Sequence, residues 1–102
     1  MIMTRKRIRS IIRESVEHSP HRDRVKKIAL FGSYLKGTQK KTSDIDLLVE
    51  FSKPISLFEL DDFERSISRR FHKKVDLLTP ASLSVYFRDK VLKEAKKVYE
   101  RK

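Results

Sequence analysis

The sequence predicts an α/β (α+β) fold, a small mixed β-sheet of at least three strands with flanking helices. Three observations carry that prediction. Two apolar runs of strand composition flank a short connector that holds both glycines of the chain. A third apolar run, interrupted by one acid, follows later, and the remaining segments repeat apolar residues at spacings of three and four. The chain has 102 residues, about the size of one typical domain, so the expectation is a single domain over residues 1–102.

In chain order, Ile8, Ile11, Ile12 and Val16 fall on one face of a helix expected from Thr4 to His18, with Pro20 beyond its end. Val25 to Phe31 reads as a strand that runs into a tight turn at Gly32-Ser33. Ser43 to Phe51 reads as a second strand. Its continuous Ile45, Leu47, Leu48 and Val49 predict burial on both faces, the pattern of a central strand. Ser56-Leu57-Phe58-Glu59 has capping-box spacing, and Leu60, Phe63, Ile67 and Phe71 extend the helix that it starts. Lys74 to Thr79 is a third strand. Thr79-Pro80 is a suitable helix start, and Leu83, Phe87, Val91, Ala95 and Val98 carry a stripe onward from it. Phe58, Phe63, Phe71, Phe87 and Tyr99 fall mainly on these stripes and are expected to pack in the core rather than stack on bases.

Composition narrows the function classes. Lys and Arg number 25 against 14 Asp and Glu, a formal charge of +11 that favours polyanionic partners such as nucleotides, nucleic acid or an acidic protein face. The basic residues are spread over every element, which fits a solvated surface better than a nucleic-acid groove; Lys40 and Lys41, inside the connector, are the exception. With no cysteine, thiolate zinc sites, disulfides and cysteine nucleophiles are excluded, and a cytoplasmic location is the expectation. The longest purely apolar run, Ile28 to Phe31, is far below the roughly 20 residues of a membrane span, and no secretory signal is expected. His18, His21 and His72 form no ligand pattern and are expected on the surface or in packing roles.

The chemistry concentrates in the connector and the strand after it. Gly32 and Gly37 bracket Ser33-Tyr34-Leu35-Lys36, where glycine permits close approach and free backbone amides can meet phosphate oxygens. Asp44 and Asp46 are two residues apart, so on a strand their carboxylates share one side of the sheet. Two like charges so placed suit Mg²⁺, which takes hard oxygen ligands and is commonly held by one or two carboxylates plus substrate phosphates. Asp76 is a third acid in an apolar strand, within reach if the strands are neighbours.

Gly32-Ser33, ten residues, then Asp44-Ile45-Asp46 resembles the motif of the DNA polymerase β-like nucleotidyltransferase superfamily, and Lys74 to Pro80 resembles the strand that bears its third acid. Length and motif together resemble the minimal nucleotidyltransferases, many of them MntA-type antitoxins encoded beside HEPN-domain toxins. The resemblance implies a nucleotidyltransferase fold and transfer of AMP from ATP, with two Mg²⁺ ions, onto a tyrosine of a HEPN ribonuclease. It also implies that Gly32, Ser33 and Lys36 bind the nucleotide, that Asp44, Asp46 and Asp76 are catalytic and ligate the metals, and that Asp76 helps deprotonate the acceptor. Many relatives carry Ala-Arg where this chain has Leu35-Lys36, which replaces a bidentate guanidinium by a point charge. The competing expectation is a basic module that neutralises a protein partner or binds nucleic acid without catalysis. Transfer to a small molecule such as an aminoglycoside is disfavoured, because relatives with that activity carry a further domain.

Overall fold

The computed structural model describes residues 3–101. Its elements are α1 (Arg5–Glu17), β1 (Val25–Phe31), α2 (Ser33–Lys36), β2 (Ile45–Phe51), α3 (Leu57–Phe71), β3 (Val75–Leu78), α4 (Arg88–Glu94) and β4 (Lys96–Glu100), with single 3₁₀ turns at Arg22–Arg24 and Pro80–Ser82. The helix starts follow the local chemistry. Thr4 Oγ1 accepts from the amide of Arg7 at α1, and at α3 the capping box is complete: Ser56 Oγ accepts from the Glu59 amide while Glu59 accepts from the Ser56 amide. His72 closes α3 with φ of 53°, the left-handed conformation common just past a helix end.

The four strands lie in the order β3-β2-β1-β4. β2 is antiparallel to β1 and parallel to β3, so the sheet is mixed, and α3 is the crossover between the parallel pair. Side chains alternate across it. Ile28 and Leu30 of β1, Ile45, Leu47 and Val49 of β2, and Val75 and Leu77 of β3 join Ile8, Ile12 and Val16 of α1 and Phe63, Ile67 and Phe71 of α3 in the main core. On the opposite face, among the described residues, Ala29, Leu48 and Leu83 form a smaller buried cluster, with Phe31, Leu78, Val91 and Ala95 packed around them. One face is therefore roofed by two helices. The other is thinly covered and partly open.

A polar cluster around the buried His21 ties the chain before β1 to α3. Arg24 bonds Glu59 and also donates to His21 Nδ1 at 2.9 Å; a guanidinium only donates, so His21 carries its proton on Nε2 and donates it to Asp62 at 3.1 Å. His21 is thus a packing residue, as expected.

The last segment departs from expectation. The stripe from Leu83 to Val98 is not one helix: the turn at Pro80–Ser82 ends in extended backbone at Leu83, α4 spans only Arg88–Glu94, and Val98 belongs to a fourth strand. Two forces win over the helical period. Arg88 donates to the carbonyls of Pro80 and Leu83, pinning the intervening loop, and the outer edge of β1 offers backbone groups that β4 satisfies by antiparallel pairing. Phe58 and Phe87 also depart from the expected core: they are 89% and 61% exposed, because Phe58 lies on the outer side of the first turn of α3 and Phe87 lies on the pinned loop. Phe63 and Phe71 are buried as expected. No helix among the described residues is long and apolar enough to cross a membrane.

Candidate active site

Where β1 ends and β2 and β3 begin, the thinly covered face carries a group of acids. The register pairs Asp46 of β2 with Phe31 of β1 on one side and with Asp76 of β3 on the other. Because Leu47 and Leu77 point into the main core, Asp46 and Asp76 point together onto the open face, and Asp44, two residues before Asp46, follows the same alternation. The expected juxtaposition of the three carboxylates is present, and the parallel β2–β3 pairing creates it.

Gly32 shows how closely the turn after β1 approaches this group. Its backbone has φ of 75°, and a Cβ built there would stand 2.2 Å from Asp46 Oδ2. Glycine is required both by the dihedral and by the space that the carboxylate fills. Its carbonyl accepts from the amides of Leu35 and Lys36, both at 3.2 Å, which coils Ser33–Lys36 into the one-turn α2. Gly37 ends that turn with φ of 74° but nothing lies within 4 Å of its missing side chain, so only its dihedral matters.

Electrostatics follow from crowding. Partial burial, then the charges of Asp76 and Asp44, raise the pKa of Asp46 above its ordinary value. Lys74 answers part of that charge, with Nζ 3.7 Å from Asp44 Oδ2 and 3.9 Å from Asp76 Oδ1. Lys36 lies apart from the acids, 4.0 Å from Glu94 of α4. It lines a cleft of about 180 Å³ with Gly32, Phe31, Phe87, Val91 and Glu94, and Gly32 is where this cleft meets Asp46. A wider groove of about 490 Å³ lies at the far end of β2, around Phe51, Pro54, Ile55 and Pro80, away from the acids.

Among the described residues no three acids or histidines are gathered closely enough to form a finished metal cage. The donor set nevertheless fits a hard divalent ion. Three carboxylates share one face, one is pressed by partial burial and then by its neighbours toward the protonated form, and a lysine ammonium stands between the other two. Such a set suits an ion whose shell is completed by phosphate and water oxygens rather than by protein alone.

Residues 12–102 match the family described as Polymerase beta, Nucleotidyltransferase. The chain belongs to that nucleotidyltransferase family. It is similar to MJ0126 of Methanocaldococcus jannaschii, 41% identical over 76 residues, which span 74% of this chain and 78% of that one. Protein adenylyltransferase MntA of Thermococcus cleftensis is 32% identical over 93 residues, 91% of this chain and 94% of its own. Among solved structures, a toxin–antitoxin with AMP-PNP superposes with a TM-score of 0.76 at 23% identity, over 92% of this chain and 74% of the matched one, a likeness of fold. The sheet and helices described above are those of a nucleotidyltransferase.

Lys74 and the α4 wall of the cleft were not among the residues expected at the site. The signal for Lys74 was available: it stands two residues before Asp76, the same spacing that paired Asp44 with Asp46. The α4 wall was hidden by reading Leu83 to Val98 as a single helix.

Proposed function

We propose that this nucleotidyltransferase moves AMP from ATP onto a hydroxyl of a partner protein, a tyrosine of a HEPN ribonuclease toxin, and so acts as an antitoxin. The observation that carries the reading is the convergence of Asp44, Asp46 and Asp76 on one open face, with Gly32 pressed against Asp46. Similarity to protein adenylyltransferase MntA supports a protein acceptor, and the fold shared with a toxin–antitoxin that holds AMP-PNP supports the partner class and the nucleotide.

In this reading Asp44, Asp46 and Asp76 would hold Mg²⁺, which would supply Lewis acidity to the acceptor hydroxyl and neutralise triphosphate charge. The chain's own groups do the rest. The Gly32 turn brings backbone up against Asp46 and so sets the phosphate beside that carboxylate, the Ser33 hydroxyl donates to a phosphate oxygen, and Lys36, Lys40 and Lys41 add positive charge around the triphosphate. The acceptor oxygen bonds to the α-phosphorus, the bond from that phosphorus to the bridging oxygen breaks, and pyrophosphate leaves with the electron pair. Asp76 takes the acceptor's proton. The thin cover over this face gives a protein-borne hydroxyl access that a closed pocket would deny.

The test is intact-mass spectrometry of the partner after incubation with ATP and Mg²⁺. The expected result is addition of AMP mass to a tyrosine with the parent protein, none with Asp76→Asn, and complex formation in both cases. Full neutralisation of the partner by Asp76→Asn, with no added mass under any metal, would replace the enzymatic reading by that of a binding module.

A further inference from the structure

Lys74 is placed oddly for a surface lysine. Its side chain is 70% exposed and has open solvent available, yet its ammonium lies between two carboxylates, one just before β2 and one on β3, 3.7 Å from Asp44 and 3.9 Å from Asp76. Two other lysines at this end are engaged elsewhere. Lys73 donates to the Lys41 carbonyl at 2.6 Å and lies over the Tyr34 ring, and Lys36 faces Glu94. The backbone fixes the origin of the Lys74 side chain, because its carbonyl accepts from the Ile45 amide at 3.0 Å, at the point where β2 and β3 begin to pair. The long stem leaves its head free to move.

We propose that Lys74 is a resident counter-ion of the aspartate cluster, which competes with a divalent cation for Asp44 and Asp76 and thereby couples metal binding to nucleotide binding. The inference rests on the reading of these acids as metal ligands. While the ammonium sits between the two carboxylates, an incoming divalent ion meets a cation 3.7–3.9 Å from two of its ligands and binds weakly by itself. A bound triphosphate changes the balance, since it gives the displaced ammonium another anion within reach. Metal and nucleotide then bind better together than apart, and the coupling is reciprocal. Lys74 in this role is a positioning residue: it governs when the carboxylates become available.

The experiment compares the parent with Lys74→Met and Lys74→Arg. Mg²⁺ affinity is measured by calorimetry without nucleotide and again at one fixed ATP concentration, so that chelation by ATP cancels between variants. For Lys74→Met the expected result is Mg²⁺ binding about 1.5- to 5-fold tighter without nucleotide, the range that loss of an exposed ion pair of this kind supports. The gain in affinity on adding ATP should shrink by the same factor, and the metal-free melting temperature should fall. Lys74→Arg, which keeps the charge, should restore the parent values. Equal or weaker Mg²⁺ binding by Lys74→Met, with its circular dichroism unchanged, overturns the proposal while leaving the metal site standing. If the parent binds no Mg²⁺, or if Asp44→Asn with Asp46→Asn binds it as well as the parent, the metal-ligand reading fails and Lys74 falls with it.

Discussion

Gly32 and Asp46 exclude each other's alternatives: the carboxylate occupies the space where a side chain at position 32 would begin, with Oδ2 2.2 Å from the ideal Cβ. The backbone turn and the acid are therefore one structural unit, and substitutions at the two glycines of the connector should separate space from dihedral. Gly32→Ala should lose about 1–3 kcal/mol, since it meets both a positive φ and a filled site, and should abolish AMP transfer. Gly37→Ala meets the positive φ in open space, so it should cost roughly 1 kcal/mol and retain transfer. Chemical denaturation and the partner's intact mass provide both readouts.

Asp46 should make the metal-free protein less stable as the pH rises. Its folded pKa is raised above the ordinary value of 3.8, chiefly by burial and then by Asp76 and Asp44. Below 3.8 both folded and unfolded forms carry the proton and no penalty arises; as pH rises through 3.8 and then through the folded value, the unfolded chain ionises first and stability falls. Asp46→Asn should therefore melt higher than the parent at neutral pH without metal, and the difference should vanish below about pH 3.8. Adding Mg²⁺ should raise the melting temperature of the parent and not of the variant.

Glu59 works in the opposite sense. Hydrogen bonding to Arg24 and to the Ser56 amide lowers its pKa from 4.5 to about 2. Its contribution is complete above pH 4.5 and is lost as pH falls toward about 2. Glu59→Gln keeps an oxygen for the capping box but no charge for Arg24, so its melting temperature should be lower at neutral pH and converge with the parent in acid.

Phe63 is fully buried between α3 and the sheet, with the His21 ring edge-on at 6.4 Å. Phe63→Ala should cost about 3–5 kcal/mol, read as a lower midpoint in urea. The same cavity should reduce the order of the His21–Asp62 contact, visible as a shift of the imidazole resonances.

Most of the site was legible in the sequence because its logic is local. Asp44 and Asp46 share a face by strand alternation alone, and two glycines in one connector mark a turn that needs them. The approach of Asp76 was legible only as a condition, since parallel pairing is decided by how α3 packs back on the sheet. The end of the chain was illegible for a different reason. Val91, Ala95 and Val98 satisfy a helical period, and nothing in that segment reports that β1 lacks a partner on its outer edge. Local propensity and tertiary demand disagree there, and the unpaired strand edge prevails.

The pairing of β3 with β2 also makes the site self-checking. Val75 and Leu77 alternate with Asp76 on a strand of four residues, so a slip of one position would drive Asp76 in among Ile45, Leu47 and Phe71 and expel two core side chains into water. Misregistered chains thus fail as folded proteins before they could present a misassembled carboxylate cluster. Fidelity of the carboxylate cluster is inherited from fidelity of the core: a chain whose β3 has paired in register has Asp76 beside Asp46.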